Sequence, residues 1–340
     1  MQNPKFILSK SKVLEQYNKV KSYADIVSYS SKTNQEITRI LEKETDSLFS
    51  VHFVNELKHI SNKLKVIFLA QAWNNNQIKN LLDQGIRWFV IDNESDLDML
   101  LSYLENKPTK INLLLRIKLK ENTMKTEKYF VFGMNSETIN KRLKELKGNQ
   151  SIEKLGVHFH RKTQNMAEWN LKYELSNLIE DFSVIDFVNI GGGLPSEYAN
   201  TNMDVLNSIF NKITELKEFL NENHINLIIE PGRFIAAPSA RLITKIVSIN
   251  ENNIIVNASV YNSDMDAIIV PVKLLVEGEQ KQGTPYVIKG ITPCSMDLFR
   301  YRVYLENPKV GDTLTFLNAG AYNFTSDFCD LEKIETEVVE

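Results

Sequence analysis

The sequence predicts an α/β protein, a (β/α)8 TIM barrel followed by a C-terminal all-β domain. Three observations carry this expectation. Between about residues 12 and 235, short apolar runs alternate with longer amphipathic stretches, the rhythm of strands separated by helices. The runs number eight, and eight parallel strands close naturally into a barrel. After about residue 236 the texture changes to β-branched runs with short turns, which reads as a sheet domain. An open doubly wound sheet is the competing arrangement for the first part.

Taken in order, strands are expected at 26–29, 48–53, 65–69, 88–91, 111–117, 154–159, 187–190 and 226–229. Amphipathic helices are expected between them at 35–44, 77–84, 94–105, 136–147, 167–180 and 204–222. The β-branched runs at 242–249, 253–260, 267–275, 284–290 and 313–317 supply the second domain. Pro308 and Gly311 mark a turn between two of its strands. The expected domains are 10–235 for the barrel and 236–340, joined by a first strand within 1–9, for the sheet.

Composition narrows the function. A chain of 340 residues with 43% hydrophobic content has enough apolar material for a large core and two domains. The net charge of −3, with dispersed basic residues, does not point to nucleic acid. The first residues lack the apolar stretch of a signal peptide, and runs such as 268–272 are too short to span a bilayer. Cys294 and Cys329 alone argue against a disulfide framework or a Cys-rich zinc site. A cytoplasmic protein without a metal centre is expected. The asparagine-rich segments, such as Asn74-Asn75-Asn76, are assigned no mechanistic role.

Three segments suggest chemistry. Lys32 follows the first barrel strand in Tyr29-Ser30-Ser31-Lys32-Thr33-Asn34. A lysine amine forms an imine once deprotonated, and burial favours the neutral form. Taken alone, a lysine is more often simply solvated. Gly191-Gly192-Gly193 follows the strand at 187–190, where consecutive glycines let backbone N–H groups converge on a phosphate. Glu230-Pro231-Gly232-Arg233 follows the last barrel strand and offers a carboxylate and a guanidinium, although a surface salt bridge at a turn would look the same. Imine, phosphate cradle and carboxylate together are what pyridoxal 5'-phosphate requires.

In this order and spacing the segments resemble the fold-type III pyridoxal-phosphate decarboxylases of the ornithine/diaminopimelate type. Tyr-Ser-Ser-Lys-Thr-Asn resembles the family's Tyr-Ala-Val-Lys-Ala/Cys-Asn, and Asn189-Ile-Gly-Gly-Gly-Leu-Pro195 its Asp-Ile-Gly-Gly-Gly-Phe-Pro. Gly156-Val157-His158-Phe159-His160-Arg161-Lys162-Thr163-Gln164 resembles Gly-Val-Ser-Phe-His-Val-Gly-Ser-Gln, and Gly320-Ala321-Tyr322 the family's Gly-Ala-Tyr. The resemblance implies that Lys32 bonds the cofactor, His160 stacks on its ring and Glu230 pairs with its ring nitrogen. It further implies that Thr163, Gly191, Gly192, Gly193, Gly232, Arg233 and Tyr322 hold the phosphate. His158 reads as structural, and Lys162, in place of a glycine, reroutes its loop or reaches the phosphate itself. The first strand is expected to pair with the β domain.

The family's proton donor is a cysteine in Gly-Pro-Thr-Cys-Asp/Glu-Ser-x-Asp, given across a homodimer interface. Here the segment is Gly290-Ile291-Thr292-Pro293-Cys294-Ser295-Met296-Asp297. Aligning Gly290, Thr292 and Asp297 puts Pro293 at the cysteine's place and Cys294 at the acid's. Aligning the cysteines shortens the loop by one residue. In either frame Cys294 is the thiol assigned the acid role. Glu230 speaks against a racemase, which places an arginine at the ring nitrogen. The carboxylates that hold a diamino acid's far end in the family have no counterpart at Ser295 or Ala258, so the substrate is expected to be larger. The expected reaction removes the α-carboxylate of such an amino acid, for example the 3-amino-3-carboxypropyl group of a peptidyl-nucleotide of the microcin C type, in antibiotic biosynthesis. A free diamino acid (ornithine, lysine or diaminopimelate), a racemase or a non-catalytic cofactor-binding protein are the alternatives.

Overall fold

A computed structural model describes residues 3–105, 107–119 and 131–340. The strands are β1 (Lys5–Ser9), β2 (Ile26–Ser30), β3 (Leu48–Val51), β4 (Val66–Ala70), β5 (Trp88–Ile91), β6 (Ile111–Arg116), β7 (Ile152–His158), β8 (Phe187–Asn189) and β9 (Asn226–Ile229). They are followed by β10 (Ala240–Asn250), β11 (Asn253–Val256), β12 (Leu275–Val276), β13 (Gln280–Lys289), β14 (Leu298–Tyr304), β15 (Thr313–Leu317) and β16 (Glu335–Val339). The longer helices are α1 (Lys10–Lys21), α2 (Gln35–Glu44), α3 (Asn75–Asp83), α4 (Glu94–Leu104), α5 (Ser136–Leu146), α6 (Leu171–Leu178) and α7 (Leu206–Glu222). No helix among the described residues is long and apolar enough to cross a membrane.

The chain divides into two compact units. One comprises 17–195 and 204–232, the other 1–16, 196–203 and 233–340. In the first, β2 to β9 form a closed parallel barrel, so the barrel expectation holds and the open sheet is excluded. Its strands are short apolar runs because each is buried by helices on one side and by the barrel interior on the other. Ile67, Val90, Leu114, Phe187 and Ile228 pack together, with Ile26, Leu48, Leu69 and Trp88 against them. The helices α2, α3, α4 and α5 each open on an asparagine, Asn34, Asn74, Asn93 and Asn135, whose side chain accepts a first-turn N–H. Such a cap is worth about 1 kcal/mol over alanine. Part of the asparagine content therefore sets helix starts.

The second unit is an eight-stranded sheet with the path β12-β15-β10-β11-β13-β14. As expected, β1 joins it, antiparallel to β10 and parallel to β16. The expected strand at 267–275 is not formed. Asp266–Ile269 make a helical turn, Pro271 has no N–H for a ladder, and only Leu275–Val276 pair, with β15. The expected run at 253–260 ends early, at Val256, because Ser259 caps a turn at Val260–Ser263.

Candidate active site

The barrel places its polar groups where its strands end. Glu230 directly follows β9 and is 4% exposed. Its Oε1 accepts from Ser50 Oγ at 2.7 Å and Asn189 Nδ2 at 2.9 Å, and its Oε2 from His158 Nε2 at 3.3 Å. These donors come from the ends of β3, β8 and β7, and the register sets His158 opposite Asn189. A carboxylate only accepts, so the Ser50 hydrogen goes to Glu230 and Ser28 Oγ, 2.7 Å away, donates to Ser50. Burial alone would push the Glu230 carboxyl up. Attraction to His158 and the hydrogen bonds from His158, Ser50 and Asn189 outweigh it and hold the group well below the usual carboxylate range.

Lys32 lies on a helical turn, Ser31–Thr33, immediately after β2, and Ser30 N–H donates to Pro231 O at 3.1 Å. Lys32 itself is exposed, between the buried Ser31 and Thr33. Desolvation lowers its pKa, partly opposed by Glu56 and Glu230 and reinforced by Arg116. Glu56 faces it from the next barrel loop, where its Oε1 accepts the N–H groups of His52 and Phe53 at 2.9 Å each. Arg116, at the end of β6, is paired with Asp92 at 3.2 Å. His52 and His160 are pushed down to about 3, by burial first and then, for His52, by Lys32. Glu230 opposes both shifts, and both rings are neutral near pH 7.

The glycine run is fixed by close packing. Gly191 and Gly193 have φ of +64° and +98°. A Cβ on Gly191 would lie 2.6 Å from Phe159 O and 2.8 Å from His160 Nδ1, and one on Gly192 would lie 2.8 Å from Glu230 O. Gly191 N–H donates to Asn189 Oδ1 at 2.9 Å and Gly192 N–H to His160 Nδ1 at 3.2 Å, which fixes the His160 tautomer with its hydrogen on Nε2. Gly193 O accepts from Asn165 N, just past Thr163. A Cβ on Gly232 would collide with Thr33 Oγ1 beside Lys32. The run thus packs against His160 and Glu230, and Gly232 against the turn that carries Lys32.

Within the second unit, Arg233 is buried and pairs through both terminal nitrogens with Asp266, NH2 to Oδ1 at 3.0 Å, while NH1 also donates to Tyr198 OH at 2.9 Å. The Tyr322 ring centroid is 5.1 Å from this guanidinium. Gly320 is required there because a Cβ would collide with Ala236 O. Elsewhere in the unit, Cys294 Sγ lies 3.1 Å from Tyr261 OH, whose ring stacks on Phe328 at 4.0 Å. That hydrogen bond lowers the Cys294 pKa and raises Tyr261 to about 12. The loop is built on Asp297. Its carboxylate accepts from Val260 N, Thr292 N and Thr292 Oγ1, and packs on Gly290.

Sequence reasoning passed over Ser50, His52, Glu56, Arg116, Tyr198, Asp266 and Tyr261. Asn189 and His158 sat inside quoted motifs without an assigned task. Position at a strand end was the available signal for Arg116, Asn189 and His158; Ser50 gave none.

This set fits pyridoxal phosphate. It has a lysine whose pKa is lowered by desolvation, an ionised buried carboxylate, a neutral imidazole whose Nδ1 is engaged and a turn that only glycines can complete. Residues 11–237 match the pyridoxal-binding domain of the pyridoxal-dependent decarboxylases, and the chain belongs to that family. The diaminopimelate decarboxylase of Methanocaldococcus jannaschii is 23% identical over 364 residues, covering 95% of this chain and 82% of that protein. The crystal structure of the diaminopimelate decarboxylase from the same organism superposes with a TM-score of 0.83 at 21% identity, over 98% of this chain and 86% of that one. The lysine/ornithine decarboxylase of Vibrio vulnificus, complexed with cadaverine, gives 0.82 at 20% identity, over 99% and 94%. The protein is a pyridoxal-phosphate-dependent amino acid decarboxylase, and pyridoxal 5'-phosphate is its cofactor.

Proposed function

We propose that this decarboxylase removes the α-carboxylate of an amino acid whose distal end carries no free ammonium. The 3-amino-3-carboxypropyl group of a peptidyl-nucleotide of the microcin C type, in antibiotic biosynthesis, fits that description. The observation that supports this reading is the state of Asp297, the one carboxylate on the loop 290–297. It is 2% exposed, and its oxygens are taken by three donors within the loop's own unit. Ala258 adds no charge. A distal ammonium desolvated there without a counter-charge would cost roughly several kcal/mol.

When bound, the cofactor supplies an electron sink for the pair left as carbon dioxide departs. The chain's residues do the rest. Lys32 offers an amine whose proton is easily lost, Glu230 holds the charge that keeps a proton on the ring nitrogen, and His160 bounds the ring. Thr163, Gly191, Gly192, Gly193, Gly232, Arg233 and Tyr322 hold the phosphate. Cys294 Sγ returns a proton to carbon, and Tyr261 OH stabilises the thiolate that remains. Gly290, Thr292 and Asp297 hold one another, the frame in which Cys294 stands at the acidic residue's place; it is still the only thiol on this loop. The active form is a homodimer, a reading supported by the exposed Ile291 and Met296 flanking Cys294.

The second reading, a free diamino acid, is favoured by the substrates named for the relatives. Carbon dioxide release would be measured from diaminopimelate, ornithine, lysine and a 3-amino-3-carboxypropyl phosphoester. Turnover of the ester alone supports the first reading, and efficient turnover of a diamino acid replaces it. Lys32→Ala should abolish turnover and the borohydride-dependent mass gain on the peptide carrying residue 32. Wild-type activity in that variant would remove Lys32 from the mechanism.

A further inference from the structure

We infer that His158 is a positioning residue for Glu230, the third donor that fixes the carboxylate's charge and orientation toward the ring nitrogen. The inference rests on the reading of Glu230 as the partner of that nitrogen.

The two oxygens of Glu230 are served unequally. Oε1 has two donors, Ser50 and Asn189, whereas among the described residues Oε2 has only His158 Nε2. His158 is fully buried, and its Nδ1 has no hydrogen-bond partner among the described residues. Among the described residues the ring's one hydrogen bond is to the carboxylate, so the ring is oriented by Glu230 and orients it in return. The backbone enforces this geometry. His158 ends β7, its register partners are Arg116 on β6 and Asn189 on β8, and Asn189 is itself a Glu230 donor. The resembled motif has serine at this position, so the imidazole is a feature of this chain rather than of the pattern. Without His158, Oε2 is bare, and the attraction that leads the effects offsetting the burial of Glu230 is lost together with a hydrogen bond; that is more than the single donor Ser50 provides, and a protonated Glu230 no longer holds a proton on the ring nitrogen.

The test uses holoenzyme loaded with pyridoxal 5'-phosphate labelled with 15N in the ring. The nitrogen resonance reports directly whether the ring is protonated, which a purely structural role for His158 would leave unmoved. Wild type should give the protonated position. His158→Leu should move it toward the unprotonated position, and His158→Gln, which restores an N–H donor, should move it back. Glu230→Gln is the control. If it leaves the ring protonated, the reading of Glu230 falls. If it shifts the resonance while His158→Leu matches wild type, only the role of His158 is overturned. Should the leucine variant fail to fold, 15N-histidine spectra of the wild type decide: a protonated Nε2 on His158 supports the inference, and an unprotonated Nε2 refutes it.

Discussion

Replacing Ser50 with alanine isolates the network that keeps Glu230 charged. The change removes one hydroxyl from a fully buried position, leaves the backbone of β3 alone and deletes two hydrogen bonds. A hydrogen bond to a charged group contributes about 1.5–3 kcal/mol, and stranding the Ser28 hydroxyl adds about 1 kcal/mol, so unfolding should become easier by about 2–4 kcal/mol. At about 1.4 kcal/mol per pKa unit, the lost donor would raise the Glu230 carboxyl by about 1–2 units. The group starts well below its usual range, so it stays ionised at pH 7. Stability should therefore fall while the ring-nitrogen charge survives. The sign fixes the conditions. A depressed carboxylate pKa contributes stability above the unfolded value of about 4.3, lost as pH falls through the folded value, so pH 7 shows the full effect. Urea unfolding of Ser50→Ala, Glu230→Gln and the double variant forms a cycle whose coupling should be about 1–3 kcal/mol. Adding Ser28→Ala should recover the stranded-hydroxyl part. A single-variant loss below about 0.5 kcal/mol, or one undiminished in the Glu230→Gln background, would refute the assignment of Ser50 as a Glu230 donor.

The barrel was legible because parallel strands buried on both faces are short and mostly apolar, and eight such runs alternate with amphipathic stretches. The sheet domain was less so. β14 escaped notice because Arg300, buried and paired with Glu279 at 2.8 Å, makes an inward position look polar. The strand expected at 267–275 misled for the converse reason. Its β-branched run is real, but the preceding Asp266 is tied to Arg233 and Pro271 interrupts the ladder. The site divides in the same way. Lys32, the glycines and Glu230 lie in contiguous motifs whose residue types already announce a chemistry. Ser50, by contrast, is 180 residues from the carboxylate it serves. Its task depends on which strand closes beside which, and a serine in an apolar run carries no sign of that. His158 shows the same limit, since a buried histidine reads as core until its neighbour is known.

Other perturbations test the remaining geometry. Asp266→Ala removes the carboxylate that pairs with both terminal nitrogens of the buried Arg233 guanidinium, and should cost about 3–5 kcal/mol in denaturant unfolding. A loss under about 1 kcal/mol would mean that Arg233 finds another partner or water. Gly192→Ala pushes a methyl against Glu230 O and should cost about 1–3 kcal/mol of stability and weaken cofactor uptake, followed by absorbance titration. Wild-type affinity would show that the turn can give way. Asp264→Asn tests a shift of the opposite sign. Burial, then the neighbouring Asp266, raises the Asp264 carboxyl well above its usual value. An acid so raised keeps its proton when folded and loses it when unfolded. Its stabilising effect is complete below about pH 3.9 and is lost as pH climbs through the folded value. Asparagine lacks the titration, so melting temperatures across a pH series should show the variant gaining on wild type as pH rises. Parallel curves would place the Asp264 carboxyl in an ordinary, solvated setting, against the burial that the sheet domain gives it.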